Sequence, residues 1–523
     1  MAQPTGRDGR NQWIAFSLLA IFSAFYIFSG HRTWLNIFDE GITLYGADRI
    51  LRGEHPFRDC FTFFPPGQFY LLAAVFRLFG DCLGAARICT LTIHFAIVVA
   101  GYFLSKRLSD RRWAILSAAG CALWIGSLRM YESPTSPAIL LSFLSCLALA
   151  PWFETKSRGA LVMAGCLAGL TAVFRHDYGV YVLLSAGAGI ILFGLLQEKA
   201  SAFSAMRPWG AYFLGFFLAV LLPAALLLRF GRRDDLWLGL VRFPLSISPK
   251  YVGHPYPSFG AHPVEAFPFY LPFIAYAGAI VKLARLRRAK ACSSRDWLAL
   301  VVLGLGIAAL GHVRGSSDTY HLTGTLLVSF LLLPWLFSAR GRAGSAWAWV
   351  LCALVIAAAD AEAVRFKAEI LESTPERLDL VPLNLPRGRW VYLPRGQAQL
   401  YERAVRETQA CAGPDGRIFS ASLRYDVAGL NDVIFYYLAE RAAGTRYYHD
   451  VGGITTTRPI QKEMIRELEE HQVNCVMLWT VGSGSGATVG GVSSGVTELD
   501  EYIRRHFRVY DSFWNYVLLR RAG

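Results

Sequence analysis

Hydrophobic and polar positions in this chain are segregated into long blocks. Apolar runs such as 13–30, 85–104, 211–228 and 297–310 approach or reach the ~20 residues that cross about 30 Å of hydrocarbon. Short loops carrying basic residues separate them, and the whole pattern predicts about eleven transmembrane helices. The apolar stretch 69–80 is too short to span and predicts an interfacial or re-entrant helix. After residue 363 the long runs give way to short alternating segments. Residues 398–410 and 459–471 have helical periodicity, while 390–393, 417–420, 473–479 and 516–519 read as buried strands. The expected architecture is an α-helical polytopic membrane protein: a membrane region over 1–362, with a first outer loop at 31–84, and a soluble α/β domain over 363–523.

Loop charge orients this threading. Basic residues fall in every second loop: Arg7 and Arg10; Lys106, Arg107, Arg111 and Arg112; Lys156 and Arg158; Lys199 and Arg207; Lys282 through Arg295; Arg340 and Arg342. The positive-inside rule places these loops and the N-terminus in the cytoplasm. Loops 31–84, 129–134, 174–178, 229–266 and 311–321, and everything after about 363, then face outward. The run 13–30 is long for a signal-peptide core, and His31, Arg32 and Trp34 replace a small-residue cleavage site, so it is expected to remain as the first span.

Composition agrees, with 54% hydrophobic and 17% charged residues in 523. The net charge of +14 sits in the short loops, where insertion accounts for it and no nucleic-acid partner is expected. The ten cysteines follow no metal-ligand spacing. Cys60 with Cys82, or Cys411 with Cys475, could form disulfides in an exported region.

The candidate chemistry gathers in the outer loops. Asp39-Glu40 stands just past the first span, followed by His55-Pro56-Phe57-Arg58-Asp59 and Phe63-Phe64-Pro65-Pro66-Gly67. Adjacent carboxylates at a membrane surface call for a partner or a task, although a helix N-terminus capped by Asp39 would also place them there. Arg175-His176-Asp177 occupies a tight outer turn, either as a site or as a pair anchoring two helix ends. His312, Arg314, Asp318 and His321 flank Ser316-Ser317; Arg314 with His321 could clamp a phosphate, or the loop could simply be polar and exposed. Lys250, His254 and His262 rank lower, because the aromatics around them look equally like an interfacial belt. Asn431-Asp432 and Arg446-Tyr447-Tyr448 suit either an acceptor surface or a packed core. Gly482-Ser483-Gly484-Ser485-Gly486 lacks the spacing of a nucleotide loop and reads as a flexible connection.

One span, an acidic pair in the first outer loop, juxtamembrane helices, a Pro-Pro segment and an outer soluble domain, in that order, resemble the GT-C membrane glycosyltransferases grouped with protein mannosyltransferases and aminoarabinose transferases. The resemblance is close over about the first 110 residues and topological beyond them. It implies inverting transfer of a sugar from a polyprenyl-phosphate donor to the hydroxyl of a glycan, lipid or protein acceptor on the outer face of a bacterial plasma membrane. Asp39 would be the general base, Glu40 its helper, and Asp59, Arg175, His176, Asp177, His312, Arg314, Asp318 and His321 would bind substrate. Aminoarabinose transferases carry an acidic and a basic residue directly before Pro-Pro, where this chain has Phe63 and Phe64. No cofactor is demanded; a divalent cation at Asp39, Glu40 and Asp59 is an open expectation. The rival reading is a transporter or flippase of a lipid-linked saccharide, but such proteins favour mid-span ionisable residues and repeated halves.

Overall fold

The computed structural model describes residues 6–128, 132–248, 254–338, 345–372, 379–480 and 493–522. Lys250, Arg340, Arg342, the 482–486 stretch and the side chains of Arg7 and Arg10 lie outside the described residues.

The membrane region is built from α1 (Gly6–Phe28), α2 (Asp39–Leu51), α3 (Gly67–Phe79), α4 (Leu83–Leu108), α5 (Arg111–Ser127), α6 (Thr135–Thr155), α7 (Arg158–Phe174), α8 (His176–Leu196) and α9 (Ala202–Phe230). There follow a short helix α10 (Arg233–Trp237), continuing as a π-helical segment Leu238–Ile247, and then α11 (Pro263–Arg288), α12 (Ser294–Gly315), α13 (Thr319–Phe337) and α14 (Ser345–Glu372). Among the described residues, eight of these are long and apolar enough to cross a membrane: α4, α6, α8, α9 and α11 to α14. Helices α1, α5 and α7 complete the eleven expected from the sequence.

Local chemistry sets the helix ends. Ser157 and Ser201 cap α7 and α9, and Ser293 with Asp296 closes a reciprocal capping box on α12. Helices α7 and α9 meet through Gly165, Gly169 and Gly215. A Cβ at any of them would strike a backbone carbonyl of the facing helix, at Tyr212, Phe216 and Val162 respectively.

Ion pairs tie together the loops at each end of the bundle. Arg107 meets Glu154 (3.7 Å), Lys156 meets Glu198 (2.7 Å) and Arg295 meets Asp110 (3.6 Å), all from loops expected to lie inside. At the opposite end His254 reaches Ser316 (3.0 Å) and Asp177 reaches His312 (3.0 Å), from loops expected to lie outside. Helix α3, which covers most of the short apolar stretch, packs against α2 while Tyr70, Leu78 and Phe79 stay exposed, as an interfacial helix would.

The last membrane helix runs ten residues past 362, to Glu372, before the soluble domain begins. That domain comprises β1 (Leu380–Pro382), β2 (Tyr392–Pro394), α15 (Arg395–Ala412), β3 (Ile418–Ser422), α16 (Ile434–Leu438), α17 (Arg458–Glu470), β4 (Cys475–Trp479), α18 (Glu498–His506), β5 (Phe507–Phe513) and β6 (Tyr516–Arg521). Its four-stranded sheet has the order β3-β4-β6-β5, with β3 and β4 parallel and the other pairs antiparallel. Strand β5 escapes the hydrophobic pattern because only its end residues are buried. Of the two candidate disulfides, Cys411–Cys475 forms, fastening α15 to β4 across 64 residues; Cys60 and Cys82 are free thiols, Cys60 being held in the core beneath α2. Asn431, Asp432 and Tyr448 are buried, so that cluster is core: Asp432 accepts hydrogen bonds from Tyr401 (2.9 Å) and Tyr516 (2.5 Å).

The soluble domain clamps the first outer loop. The Val433 and Ile434 N–H groups donate to the Ile37 carbonyl (3.0 and 2.9 Å), and α16 packs on α2 where Gly41 lets the two backbones touch. Tyr45 stacks on Tyr436 (4.9 Å), and Arg387 bridges Asp48 and Asp81 (2.7 Å each). Arg446 pairs with Asp235 on α10. This docking fixes α2, and therefore Asp39 at its first residue.

Candidate active site

Asp39 opens α2 at the base of the outer loops. Asn36 builds the turn before it, its side-chain oxygen accepting the Asp39 N–H (2.9 Å) while its amide donates to the Asp39 carboxylate (3.3 Å). The Asp39 side chain is exposed to solvent although protein surrounds it, which describes a residue lining a recess rather than an outer surface. This enclosure raises its pKa above the usual carboxylate range. The Asn36 hydrogen bond and His321 pull it down, and Asp318 adds to the rise. The influence of His321 and Asp318 shows that the acidic pair and the 312–321 cluster, far apart in sequence, face one another.

Glu40 stands differently. It is fully buried, and Arg87 of α4 grips both its oxygens (2.7 and 2.9 Å). The same guanidinium donates to the carbonyls of His31 (2.8 Å) and Trp34 (2.7 Å), so it pins the chain entering α2. Glu132, also buried, presses its carboxyl against Glu40. Burial first, and the Glu40 charge second, raise the Glu132 carboxyl well above the ordinary range. Sequence reasoning missed both partners. The signal for Arg87 was there, a lone cation in the apolar run 85–104, which demands a counter-charge.

Around Asp39 the other polar residues form one chain of contacts. Asp318 caps α13 through the His321 N–H (3.0 Å) and accepts from His321 Nδ1 and Ser316 (2.6 Å each). Burial pushes Asp318 up, but the His321 hydrogen bond and charge outweigh it and bring the pKa down to about 2. His321 lies 5.2 Å, ring to ring, from His312. Asp177 lies between His312 (3.0 Å) and Arg175 (2.6 Å), and Arg175 also reaches His312 directly. This ties the start of α8 to the end of α12. The Arg175 guanidinium lies over the Phe64 ring (5.7 Å), so the aromatic pair before Pro65-Pro66 faces the same cluster.

Three candidates lie apart. His176 sits against the Leu240 carbonyl of the π-helical segment. Arg314 is exposed and, two residues from His312, projects from the opposite side of α12; among the described residues it has no ion pair. Asp59 is gripped by Arg58 (2.6 Å) and accepts the His55 N–H (2.7 Å), holding the loop rather than joining Asp39. Asp39, Glu40 and Asp59 therefore do not converge on a cation site. Among the described residues, no group of three or more His, Cys, Asp or Glu is arranged to hold a metal ion.

A family model described as dolichyl-phosphate-mannose-protein mannosyltransferase matches residues 64–225. No curated protein matches the sequence. Among solved structures, apo ArnT from Cupriavidus metallidurans aligns over 98% of both chains at 10% identity and a TM-score of 0.58. The same protein bound to undecaprenyl phosphate aligns over 98% of both chains at 11% identity and a TM-score of 0.54. The apo oligosaccharyltransferase of Archaeoglobus fulgidus covers 89% of this chain and 69% of its own, at 12% identity and a TM-score of 0.53. At such identities the likeness establishes architecture: this chain has the GT-C fold, a helical membrane bundle with its polar loops and its soluble domain gathered at one end.

Proposed function

We propose that this protein is an inverting glycosyltransferase, moving a sugar from a polyprenyl-phosphate donor to an acceptor hydroxyl on the outer face of a bacterial plasma membrane. The observation that carries the reading is Asp39 itself: a solvent-reached carboxylate enclosed by protein, at the start of a helix clamped on both sides, opposite His321 and Asp318. The matching mannosyltransferase family and the ArnT structure with undecaprenyl phosphate support the donor class.

In this reading the acceptor oxygen attacks the anomeric carbon as its proton passes to Asp39. The carbon–oxygen bond to the lipid phosphate breaks on the opposite side, and the phosphate leaves with the electron pair. Enclosure that raises the Asp39 pKa makes it a better base for a hydroxyl proton. The departing phosphate needs positive charge more than an acid. His321 and His254, gathered at Asp318 and Ser316 opposite Asp39, are the groups to meet it. Glu40 serves as a positioning residue: with Arg87 it fixes the backbone that presents Asp39. Arg175 and Asp177 hold α8 and α12 in register around the recess.

The test is transfer by the purified full-length chain from a panel of radiolabelled polyprenyl-phosphate sugars to membrane-extracted acceptors, beside Asp39→Asn. Loss of about 100-fold or more in turnover, with donor binding retained, is expected of a missing general base. Equal turnover in the variant would remove Asp39 from the mechanism. Donor binding without transfer in both proteins would overturn the enzyme reading.

A further inference from the structure

Outside the recess, a separate cavity of about 360 Å³ lies where the soluble domain meets the outer end of α1, lined by Arg32, Asn384, Arg389, Trp390, Tyr392 and the apolar 382–385 turn. Two cations line it. Arg32 and Arg389 are both exposed, and among the described residues neither is paired with a carboxylate. In the outer loops and the soluble domain, Arg58, Arg387, Arg395, Arg403, Arg424 and Arg446 are paired with acids, whereas exposed Arg406 and Arg504, like this pair, have no ion pair among the described residues. No acidic side chain lines the cavity, since Glu402 accepts the Asn384 N–H (2.8 Å) without forming part of its wall.

The backbone is arranged to present this wall. Trp390 has φ +74° and Trp34 has φ +72°, a left-handed conformation that an aromatic residue adopts only under constraint. Trp390 is 53% exposed and Trp34 55%, so neither is strained in order to bury its ring. Gly84 leaves space against Trp390 that a Cβ, 2.9 Å from that of Trp390, would close. The Arg32 guanidinium lies over the Trp390 ring at 5.7 Å, and the Tyr392 N–H donates to the Arg32 carbonyl (2.7 Å), which fixes both cavity walls to one another.

The position selects the ligand. Arg32 follows closely on the last residue of α1, Phe28, and Gly30 packs against Ile370 and Leu371 at the outer end of α14. Exposed Trp34, Phe366 and Leu371 surround this level, as interfacial residues do where hydrocarbon gives way to headgroups. We propose that Arg32 and Arg389 bind the phosphate of an outer-leaflet anionic phospholipid headgroup, with Trp34 and Trp390 seated at the interface on either side. Guanidinium groups match phosphate oxygens with paired hydrogen bonds, and an unpaired pair of them beside a bilayer has its counter-ion in the lipid. This site is separate from the Asp39 recess and does not depend on the reaction assigned to it. It is joined to the recess through Arg87, which binds the Trp34 carbonyl and Glu40 together.

Native mass spectrometry of the full-length chain in detergent, titrated with phosphatidylglycerol, phosphatidylcholine or inorganic phosphate, tests the proposal. Phosphatidylglycerol is expected to bind about tenfold more tightly than phosphatidylcholine, and Arg32→Gln or Arg389→Gln to weaken it by about tenfold while leaving phosphatidylcholine unchanged. Arg466→Gln, on the distant exposed face of α17, should bind as the parent does. Equal binding of the two lipids by the parent chain overturns the proposal without any variant. So does undiminished phosphatidylglycerol binding by Arg32→Gln and Arg389→Gln. Inorganic phosphate binding that is sensitive to both substitutions, without a preference between the lipids, overturns the lipid source.

Discussion

Replacing Arg87 by Met should injure this protein more than any other single change near the recess, and in a pH-dependent way. The substitution keeps much of the side-chain volume but leaves Glu40, fully buried, facing Glu132 without a cation. Breaking one side of a buried ion pair costs about 3–5 kcal/mol. An independent bound comes from proton uptake: neutralising a carboxyl of ordinary pKa about 4.3 costs about 1.4 kcal/mol per pH unit, or about 3.7 kcal/mol at pH 7. Two carbonyls, of His31 and Trp34, also lose a charged donor, adding about 1 kcal/mol each. The expected loss is thus about 5–6 kcal/mol at pH 7, shrinking by nearly 3 kcal/mol at pH 5, where protonation is cheaper. Unfolding of the purified chain, followed by fluorescence-detected size exclusion at pH 5 and 7, reads this directly. Arg87→Met combined with Glu40→Gln should recover most of the loss, since the orphaned charge is gone. A variant destabilised equally at both pH values, or not rescued by Glu40→Gln, would refute the assignment of the pair as the element that holds the Asp39 backbone.

Glu132→Gln should behave oppositely: because the folded state keeps the Glu132 proton above pH 4.5, folding takes up a proton and parent stability falls as pH rises, so the variant gains on the parent at pH 8 and not at pH 4. Asp450→Asn should likewise remove a loss of stability between about pH 4 and 7, because burial lifts the Asp450 carboxyl to about 7; the slope of melting temperature against pH checks it. Gly41→Ala puts a Cβ among the Val433 and Ile434 backbone atoms, and should loosen α16 from α2 at a cost of about 1–3 kcal/mol, visible as faster hydrogen exchange over 433–438. Opening the Cys411–Cys475 bond with both residues changed to Ser should cost about 4 kcal/mol from the 64-residue loop, measured by denaturant unfolding.

Much of this protein is legible in its sequence because hydrophobic burial in a membrane is a local, one-dimensional signal. A span must contain its own apolar length and satisfy its own backbone, so runs such as 85–104 and 297–310 declare themselves, and loop charge orders them. The soluble domain's buried strands showed for the same reason, whereas β5, with its middle residues exposed, did not. Asp39 and Glu40 drew notice as adjacent carboxylates at a membrane surface, equally readable as a helix start, and only the family resemblance singled out Asp39. What its neighbour does was decided in three dimensions. Glu40 and Asp39 are adjacent in sequence, yet the helical turn sends one into the core to meet Arg87, 47 residues away, and leaves the other open. The meeting of Arg175 with His312, 137 residues apart, depends on how helices pack, which no periodicity records. The choice of Cys411–Cys475 over Cys60–Cys82, and the clamp of α16 on α2, rest equally on the approach of distant backbones. Local pattern determined which segments are long and apolar enough to cross and that the unusual polar residues gather in alternate loops; only tertiary packing decided which of those polar residues are locked in buried ion pairs and which, like Asp39, stay open to solvent.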